Sequence, residues 1–123
     1  MPYKNLREQS GVVQKFTGRL SAEEYLASVV EIVNDTNFEL IRYVIADFSE
    51  VTETDLSKKE VTQVAALSKG AMFTNNGIKI AVVVIDPTLM DLAKAYKSER
   101  LASYPTEIFS TVEQARKWLL PSL

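Results

Sequence analysis

The pattern of apolar and polar residues changes repeatedly along this chain, from continuous apolar runs to apolar residues spaced as on one face of a helix. Two of the continuous runs, residues 41–46 and 80–85, are rich in Val and Ile. Such runs are typical of strands in a parallel sheet that helices cover on both sides. We therefore predict that these two segments lie side by side in the middle of one sheet.

Four other segments carry apolar residues at the three- and four-residue spacing of a helix face. They follow Ser21, Ser57, Asp86 and Ser110. Ser and Asp are favourable N-cap residues, and each of the three serines has a Glu three residues later, which is the sequence of a capping box. We predict four helices that begin directly after these four residues.

Three further strands complete the predicted order. Residues 3–8 and 12–17 flank a Ser-Gly pair, which favours a β-hairpin, and Gly18 is expected to end the second of these strands. Residues 106–109 form a short last strand. The predicted fold class is α/β, with a five-stranded mixed sheet flanked by four helices in the order ββαβαβαβα. The helices supply the crossovers that parallel strands need.

Length and composition fit a single globular domain over residues 1–123. The chain has 14 Lys and Arg against 16 Asp and Glu, so it lacks the excess of positive charge that nucleic-acid binding requires. No apolar run approaches the roughly 20 residues that cross a bilayer, so we expect no membrane insertion. The absence of cysteine fits a reducing compartment, and we expect a cytoplasmic protein.

The chain also contains no histidine. Without His and Cys, neither a Ser-His-Asp nor a Cys-His catalytic arrangement can form, and a zinc site of the usual kind cannot form either. The four glycines are too scattered for a phosphate-binding loop. We predict a non-enzymatic protein without a cofactor, and the residues by themselves assign no reaction.

Three segments, together with the predicted order, resemble a known family. Residues 18–25 read Gly-Arg-Leu-Ser-Ala-Glu-Glu-Tyr, an apolar strand ends at Asp47, and residues 108–119 run from Ile-Phe through an acidic helix start to Trp-Leu. These features resemble the STAS domains of anti-sigma-factor antagonists, and more closely the small bacterial SpoIIAA-like proteins of unassigned function. The resemblance implies a SpoIIAA-like fold, a bacterial origin, and a regulatory module that acts through protein contacts.

The resemblance also implies a candidate regulatory residue. Antagonists of this family are switched by phosphorylation of a Ser that follows an Asp at the start of the second helix. In this chain Asp55 is followed by Leu56, and Ser57 lies one place later, so Ser57 is the candidate phospho-acceptor. The positive end of a helix favours a phosphate group at such a position. The alternative is that Ser57 serves only as a helix cap paired with Glu60.

We interpret the segment from Asp47 to Ser57 as a loop between the first apolar strand and the second helix. Such a loop can reorder without disturbing the core. Together with the second helix it forms the predicted protein-binding surface, whose candidate residues are Asp47, Ser49, Asp55, Ser57 and Lys58. A homodimer is a further prediction, because exposed Met and aromatic side chains at helix ends tend to be covered.

Two other functions stay open. The first is binding of a lipid or other small apolar ligand in a groove near the helix ends, with core packing or a dimer contact as the alternative. The candidate groove residues are Met72, Phe73, Met90 and Tyr96. The second is a carboxylate-based enzyme in which Asp47 and Asp86, each at the end of an apolar strand, hold Mg²⁺. Because capping alone explains Asp86 and no third carboxylate ends a strand, we predict no metal site.

Overall fold

A computed structural model describes residues 2–98 and 104–120 of the chain. The predicted α/β class and the order ββαβαβαβα are confirmed, with a short 3-10 turn at Phe38–Leu40 before the third strand. The elements are β1 (Tyr3–Arg7), β2 (Gly11–Leu20), α1 (Ala22–Val33), β3 (Tyr43–Thr54), α2 (Lys58–Ala71), β4 (Lys79–Val83), α3 (Pro87–Ser98), β5 (Thr106–Phe109) and α4 (Val112–Leu119).

The five strands form one mixed sheet in the order β1-β2-β3-β4-β5. β1 pairs antiparallel with β2, as the predicted hairpin requires, and each later pair of neighbours is parallel. β3 and β4 lie next to each other, with Ile45 opposite Ala81. The prediction that the two most apolar segments lie side by side is therefore confirmed.

The helices cover the two faces of the sheet unequally. α1, α2 and α3 pack on one face, in buried clusters that include Val44 and Val82. α4 packs on the opposite face, where Ala115 and Leu119 share a buried cluster with Ile45. Successive side chains of a strand point to opposite faces, so the adjacent residues Val44 and Ile45 serve different helix layers. This requirement explains why residues 43–46 of β3 and 80–83 of β4, where both faces are covered, are all apolar.

β2 and β3 are longer than the sequence predicts. The prediction that Gly18 ends the second strand is wrong, because β2 continues to Leu20 and β3 continues beside it to Thr54. Gly18 has a φ of 66°, and the register between the two strands shifts around it. A glycine in this conformation lets a strand bend at a bulge without ending. The predicted loop from Asp47 to Ser57 is therefore wrong for residues 47–54, which are strand.

Three of the four predicted helix caps, Ser21, Ser57 and Asp86, are confirmed. Both serines form complete capping boxes with the glutamates three residues later. The fourth helix is capped by Thr111 and not by Ser110, so that prediction is wrong by one residue. The reason is that a threonine hydroxyl one place further on can accept the same kind of backbone hydrogen bond. Within the described residues, no helix is long and apolar enough to cross a membrane.

Candidate functional site

The five predicted partner-binding residues lie along β3, in the short segment that joins it to α2, and at the first residue of α2. Ser49, Asp55, Ser57 and Lys58 are exposed, whereas Asp47 is 2% exposed. The exposed four lie beyond the carboxyl end of β4, which stops opposite Asp47. We call these four residues the β3–α2 surface. Asp47 has almost no surface of its own to offer a partner.

A cation and a hydroxyl hold the buried carboxylate of Asp47. Its Oδ2 accepts a hydrogen bond from Nζ of Lys15 at 2.9 Å, and Lys15 lies directly opposite on β2. Its Oδ1 accepts hydrogen bonds from the hydroxyl of Ser49 at 2.7 Å and from the Ser49 backbone N–H at 3.0 Å. Burial acts to raise the pKa of Asp47, but the hydrogen bonds from Lys15 and Ser49 outweigh it and lower that pKa below its usual value.

This network anchors the β3–α2 surface. Lys15 also forms an ion pair with Glu50, and it thereby joins β2 to two residues of β3. Further along the same strand pair, both Nε and Nη2 of Arg19 donate to Oε2 of Glu53, at 3.0 and 2.8 Å. Side-chain ion pairs therefore reinforce the extension of β3 beyond β4. The segment that carries Ser49 is a fixed strand and not a loop free to reorder.

Asp47 and Asp86, the two carboxylates considered for Mg²⁺, each have a structural role. Asp47 is paired with Lys15, and Oδ2 of Asp86 accepts a hydrogen bond from the backbone N–H of Leu89 at 3.0 Å, which caps α3. In the part of the chain that the structure describes, no group of three or more acidic side chains is arranged to hold a metal ion. The geometry thus gives both carboxylates partners within the protein.

Ser57 lies at the N-terminus of α2, where a phosphate group would be favoured by the helix dipole. Its hydroxyl donates to Oε1 of Glu60 at 2.9 Å and accepts the backbone N–H of Lys59 at 3.3 Å. The same Oε1 accepts the backbone N–H of Ser57 at 2.7 Å. Ser57 therefore caps α2 in a pair with Glu60, as the alternative interpretation predicts. A phosphate on Ser57 would meet the negative charge of Glu60, so that side chain would have to move.

A cavity of about 120 Å³ lies between the sheet and the layer formed by α1, α2 and α3. Its wall is mostly apolar, and it includes Ile80, which is only half-buried on its central strand because it faces this space. Among the described residues that line the cavity, only Ser57 is exposed. The cavity therefore approaches the surface at the start of α2, beside the β3–α2 surface.

The structure does not bring the four predicted groove residues together. Tyr96 lines the cavity, and its hydroxyl is hydrogen-bonded to that of Ser68 at 2.9 Å. Met72 packs against the cluster near the ends of α1 and α2, Met90 packs against the cluster under α3, and Phe73 is 92% exposed. Helical spacing identified apolar faces, but it could not show which faces enclose a gap. Ligand binding by these residues stays a prediction.

A polar cluster on the α4 face carries no signal in the sequence. The hydroxyl of Tyr43 donates to Glu8, and Arg116 of α4 forms two hydrogen bonds with the same carboxylate, at 3.1 and 2.7 Å. The hydrogen bond from Arg116 is the main cause that lowers the pKa of Glu8. Gly11 lies under the Tyr43 ring, where a Cβ would come within 2.5 Å of ring atoms. Glu8 and Arg116 are 108 positions apart, so only the fold brings them together.

Comparison with known proteins identifies the fold. No family model matches the chain, and no curated protein matches it significantly. Among solved structures, the chain is similar to the anti-sigma factor antagonist SpoIIAA in its unphosphorylated form, with a TM-score of 0.65. The similarity covers 98% of this chain and 99% of that one at 11% sequence identity. The SpoIIAA-like fold predicted from the sequence is therefore confirmed, and at this identity the likeness extends to the fold alone.

Proposed function

We propose that the protein is a non-enzymatic regulatory module that binds another protein through the β3–α2 surface. The observation that carries the proposal is the exposure of Ser49, Asp55, Ser57 and Lys58 along the part of β3 beyond β4 and at the start of α2. Ligands of open α/β sheets gather at this edge. The likeness to SpoIIAA, an anti-sigma factor antagonist, supports the same class of function.

The backbone of this surface supports recognition as well. Among the described residues, 48–54 of β3 pair with β2 on one side, while β4 has already ended at Val83 on the other. The free side of this segment leaves backbone hydrogen-bonding groups for an extended segment of a partner. The ion pairs from Lys15 and Arg19 keep the strand in place. A partner would therefore meet a preformed surface, which lowers the entropy lost on binding.

A site-specific photo-crosslinking experiment tests the proposal. A photoreactive amino acid is placed at Lys58 on the β3–α2 surface, or at Lys117 on α4 as the matched control, in protein expressed in its native host. Both lysines are exposed and helical, but they lie on opposite faces of the sheet. We expect one discrete crosslinked protein from position 58 and none from position 117. Equal crosslinking from the two positions, or none from either, would contradict the proposal.

Phosphorylation of Ser57 is the proposed switch for this surface. A phosphate adds about two negative charges beside Glu60 and changes both the α2 cap and the surface presented to a partner. Ser57→Glu should abolish the crosslink from position 58, while Ser57→Thr, which keeps a capping hydroxyl, should retain it. Intact-mass analysis of protein from its native host should show a phosphorylated fraction that Ser57→Ala removes. No phosphate under any growth condition would remove the switch but leave partner binding standing.

Binding of a small apolar ligand is the second candidate function, and the cavity of about 120 Å³ favours it. Pockets for small molecules are mostly apolar with a few polar groups, and this cavity has that composition. Native mass spectrometry after gentle purification should detect protein with a bound small molecule. Detection of apo protein alone, from cells grown under several conditions, would count against the second function.

A further inference from the structure

We propose that the cavity between the sheet and the layer of α1, α2 and α3 binds a compact neutral molecule of the size of phenol, with an apolar ring and one hydroxyl group. The inference rests on the second candidate function, apolar ligand binding, and specifies its ligand class. It is carried by three properties of the cavity: its volume, its mostly apolar wall, and the polar residues Gln14 and Tyr25 that line it.

The volume limits the ligand to a few atoms. An engineered apolar cavity of about 150 Å³ in another protein stays dry and accepts benzene. The present cavity, at about 120 Å³, has a similar capacity. A ligand of roughly six to eight non-hydrogen atoms therefore fits. A long-chain lipid does not fit unless the helices separate, so the size favours a compact ligand among the apolar ligands predicted from the sequence.

The wall of the cavity is mostly apolar and suits the face of an aromatic ring. Ile80 and Val82 contribute from β4, Val64 from α2 and Ala93 from α3, and all but Ile80 are buried. Side chains next to an empty space lose the dispersion contacts that a close-packed interior provides. A ring that fills the space restores these contacts without exposing any polar group to an apolar wall.

Two of the polar side chains that line the cavity, Gln14 and Tyr25, can bind a ligand hydroxyl. Gln14 is 5% exposed, and its Nε2 donates to Oγ of Ser28 at 3.0 Å. Its Oε1 accepts no hydrogen bond from the described residues, and the hydroxyl of Tyr25 likewise forms none with them. Every fully enclosed polar side-chain atom in the described part of the chain has a partner. Gln14 and Tyr25 both line the cavity, so we assign these two atoms to its wall. Glu60 also lines the cavity, beside the exposed Ser57, and its Oε1 is hydrogen-bonded to that residue.

Tyr25 and Gln14 can act on the same ligand group. Ser28, which holds the Gln14 amide, lies three residues after Tyr25 on α1, so both polar atoms belong to one wall. Burial is the main cause that raises the pKa of Tyr25, with the neighbouring Tyr96 as the second cause. Tyr25 is thus a neutral donor at physiological pH. A ligand hydroxyl can accept from Tyr25 and donate to Oε1 of Gln14, which satisfies both atoms.

Titration of the full, isotope-labelled chain with three probes, followed by NMR, tests the inference. We expect saturable binding of phenol with a dissociation constant of about 1 mM or tighter, and shifts at the cavity wall. Benzene, which lacks the hydroxyl, should bind about fivefold more weakly. If dodecanoate binds more tightly than phenol, the ligand class is wrong but apolar ligand binding stands. If no probe binds at the cavity, both the proposed ligand class and the second candidate function are wrong.

Matched variants locate the site. Ala46→Leu fills the cavity from β3 and should weaken phenol binding at least about tenfold, because the ligand volume is lost. Ala66→Leu makes the same change on the exposed side of α2 and should leave binding unchanged. Tyr25→Phe preserves the ring and should weaken phenol about fivefold while benzene is unaffected, which keeps the test valid if Ala46→Leu does not fold. Wild-type affinity for phenol in Ala46→Leu and Tyr25→Phe would overturn the proposal.

Discussion

At the residue scale, Asp47 illustrates the conditions under which a charged group is tolerated inside a protein. A buried carboxylate is costly unless cations and hydrogen-bond donors compensate for lost water. Lys15 and Ser49 supply that compensation from the neighbouring strand and from two residues further along β3. Because Lys15 also pairs with Glu50, it is the residue on which the network depends.

Loss of Lys15 should therefore destabilise the protein. Lys15→Ala leaves Asp47 buried without its cation, and we expect the free energy of unfolding to fall by about 2 kcal/mol, a value discounted for the partial exposure of the lysine. Lys4→Ala is the matched control, because Lys4 lies opposite Lys15 on β1 and is exposed. It should change stability by less than about 0.5 kcal/mol. Urea unfolding at neutral pH measures both, and equal effects would show that the ion pair contributes nothing.

The same network predicts a loss of stability in acid. The pKa of Asp47 is lower in the folded chain than in the unfolded chain, so the unfolded chain binds the proton more readily. Stability is therefore full above the ordinary carboxyl pKa of about 4 and falls as pH decreases toward the lower folded value. Glu8, whose pKa is also lowered by Arg116, adds to this dependence.

Urea unfolding measured between neutral pH and strong acid tests whether stability falls as the pH decreases. The wild type should lose stability steadily below about pH 4, and Asp47→Asn, although less stable at neutral pH, should show a shallower loss over the same range. Glu8→Gln provides an independent comparison on the α4 face. If Asp47→Asn and the wild type have the same slope in acid, Asp47 does not contribute to the pH dependence.

At the scale of the elements, the main feature is the extension of β2 and β3 beyond β4. It depends on Gly18, which bends β2 in the left-handed region of φ while the strand continues to Leu20. The ion pair between Arg19 and Glu53 then joins the two strands past the bend. The β3–α2 surface begins on this extension, so the bend at Gly18 lies in the strand pair that supports it.

Gly18→Ala should destabilise the protein through the backbone alone. A Cβ at Gly18 meets no atom within 4 Å, so the expected cost of about 1 kcal/mol arises from the positive φ. Gly70 is the matched control, because it is equally uncrowded but lies in α2 without a positive φ. Gly70→Ala should stabilise the protein by about 0.5–1 kcal/mol. Thermal or urea unfolding that shows the same sign for both variants would contradict this explanation.

At the scale of the whole molecule, two features have no role within the described fold: a cavity on one side of the sheet and a fully exposed aromatic ring. Phe73 lies in the turn after α2, close to Asn75. The buried Asn75 amide donates to the carbonyls of Phe38 and Ile41 at 2.9 and 2.7 Å, which fixes this turn to the one before β3. The ring of Phe73 is therefore presented on a rigid support, as a contact residue would be.

The predicted homodimer can be tested at this position. If two copies associate through Phe73, the wild type should sediment as a dimer at micromolar concentrations and Phe73→Ser as a monomer. Because Phe73 is 92% exposed, its replacement should leave the unfolding of a single copy unchanged. Ile85→Ser is the matched control, since Ile85 is 63% exposed near the end of β4. A wild-type monomer, or dissociation by both variants, would contradict a dimer through Phe73.

The success and failure of the sequence-based predictions follow from the range of each interaction. The start of α1 was predicted to the residue because the Ser21 cap and its glutamate are local. The end of β2 was missed because its last residues, Arg19 and Leu20, pair with Glu53 and Thr54 of β3. These partners lie over 30 positions further along the chain. Asp47 and Ser57 were recognised as candidates from the strand end and the helix start. The structure shows that they differ in burial, since Ser57 is exposed and Asp47 is buried.

By itself, the sequence determined the elements, their order and the covered central strands, because capping and hydrophobic periodicity act within a few residues and need no partner. The tertiary structure decided how far β3 continues, which carboxylate is buried and where the helices leave a gap. It also joined Glu8 to Arg116 across 108 positions. These features depend on which distant surfaces meet and how closely they pack, and no local pattern of residues encodes a distance between two elements.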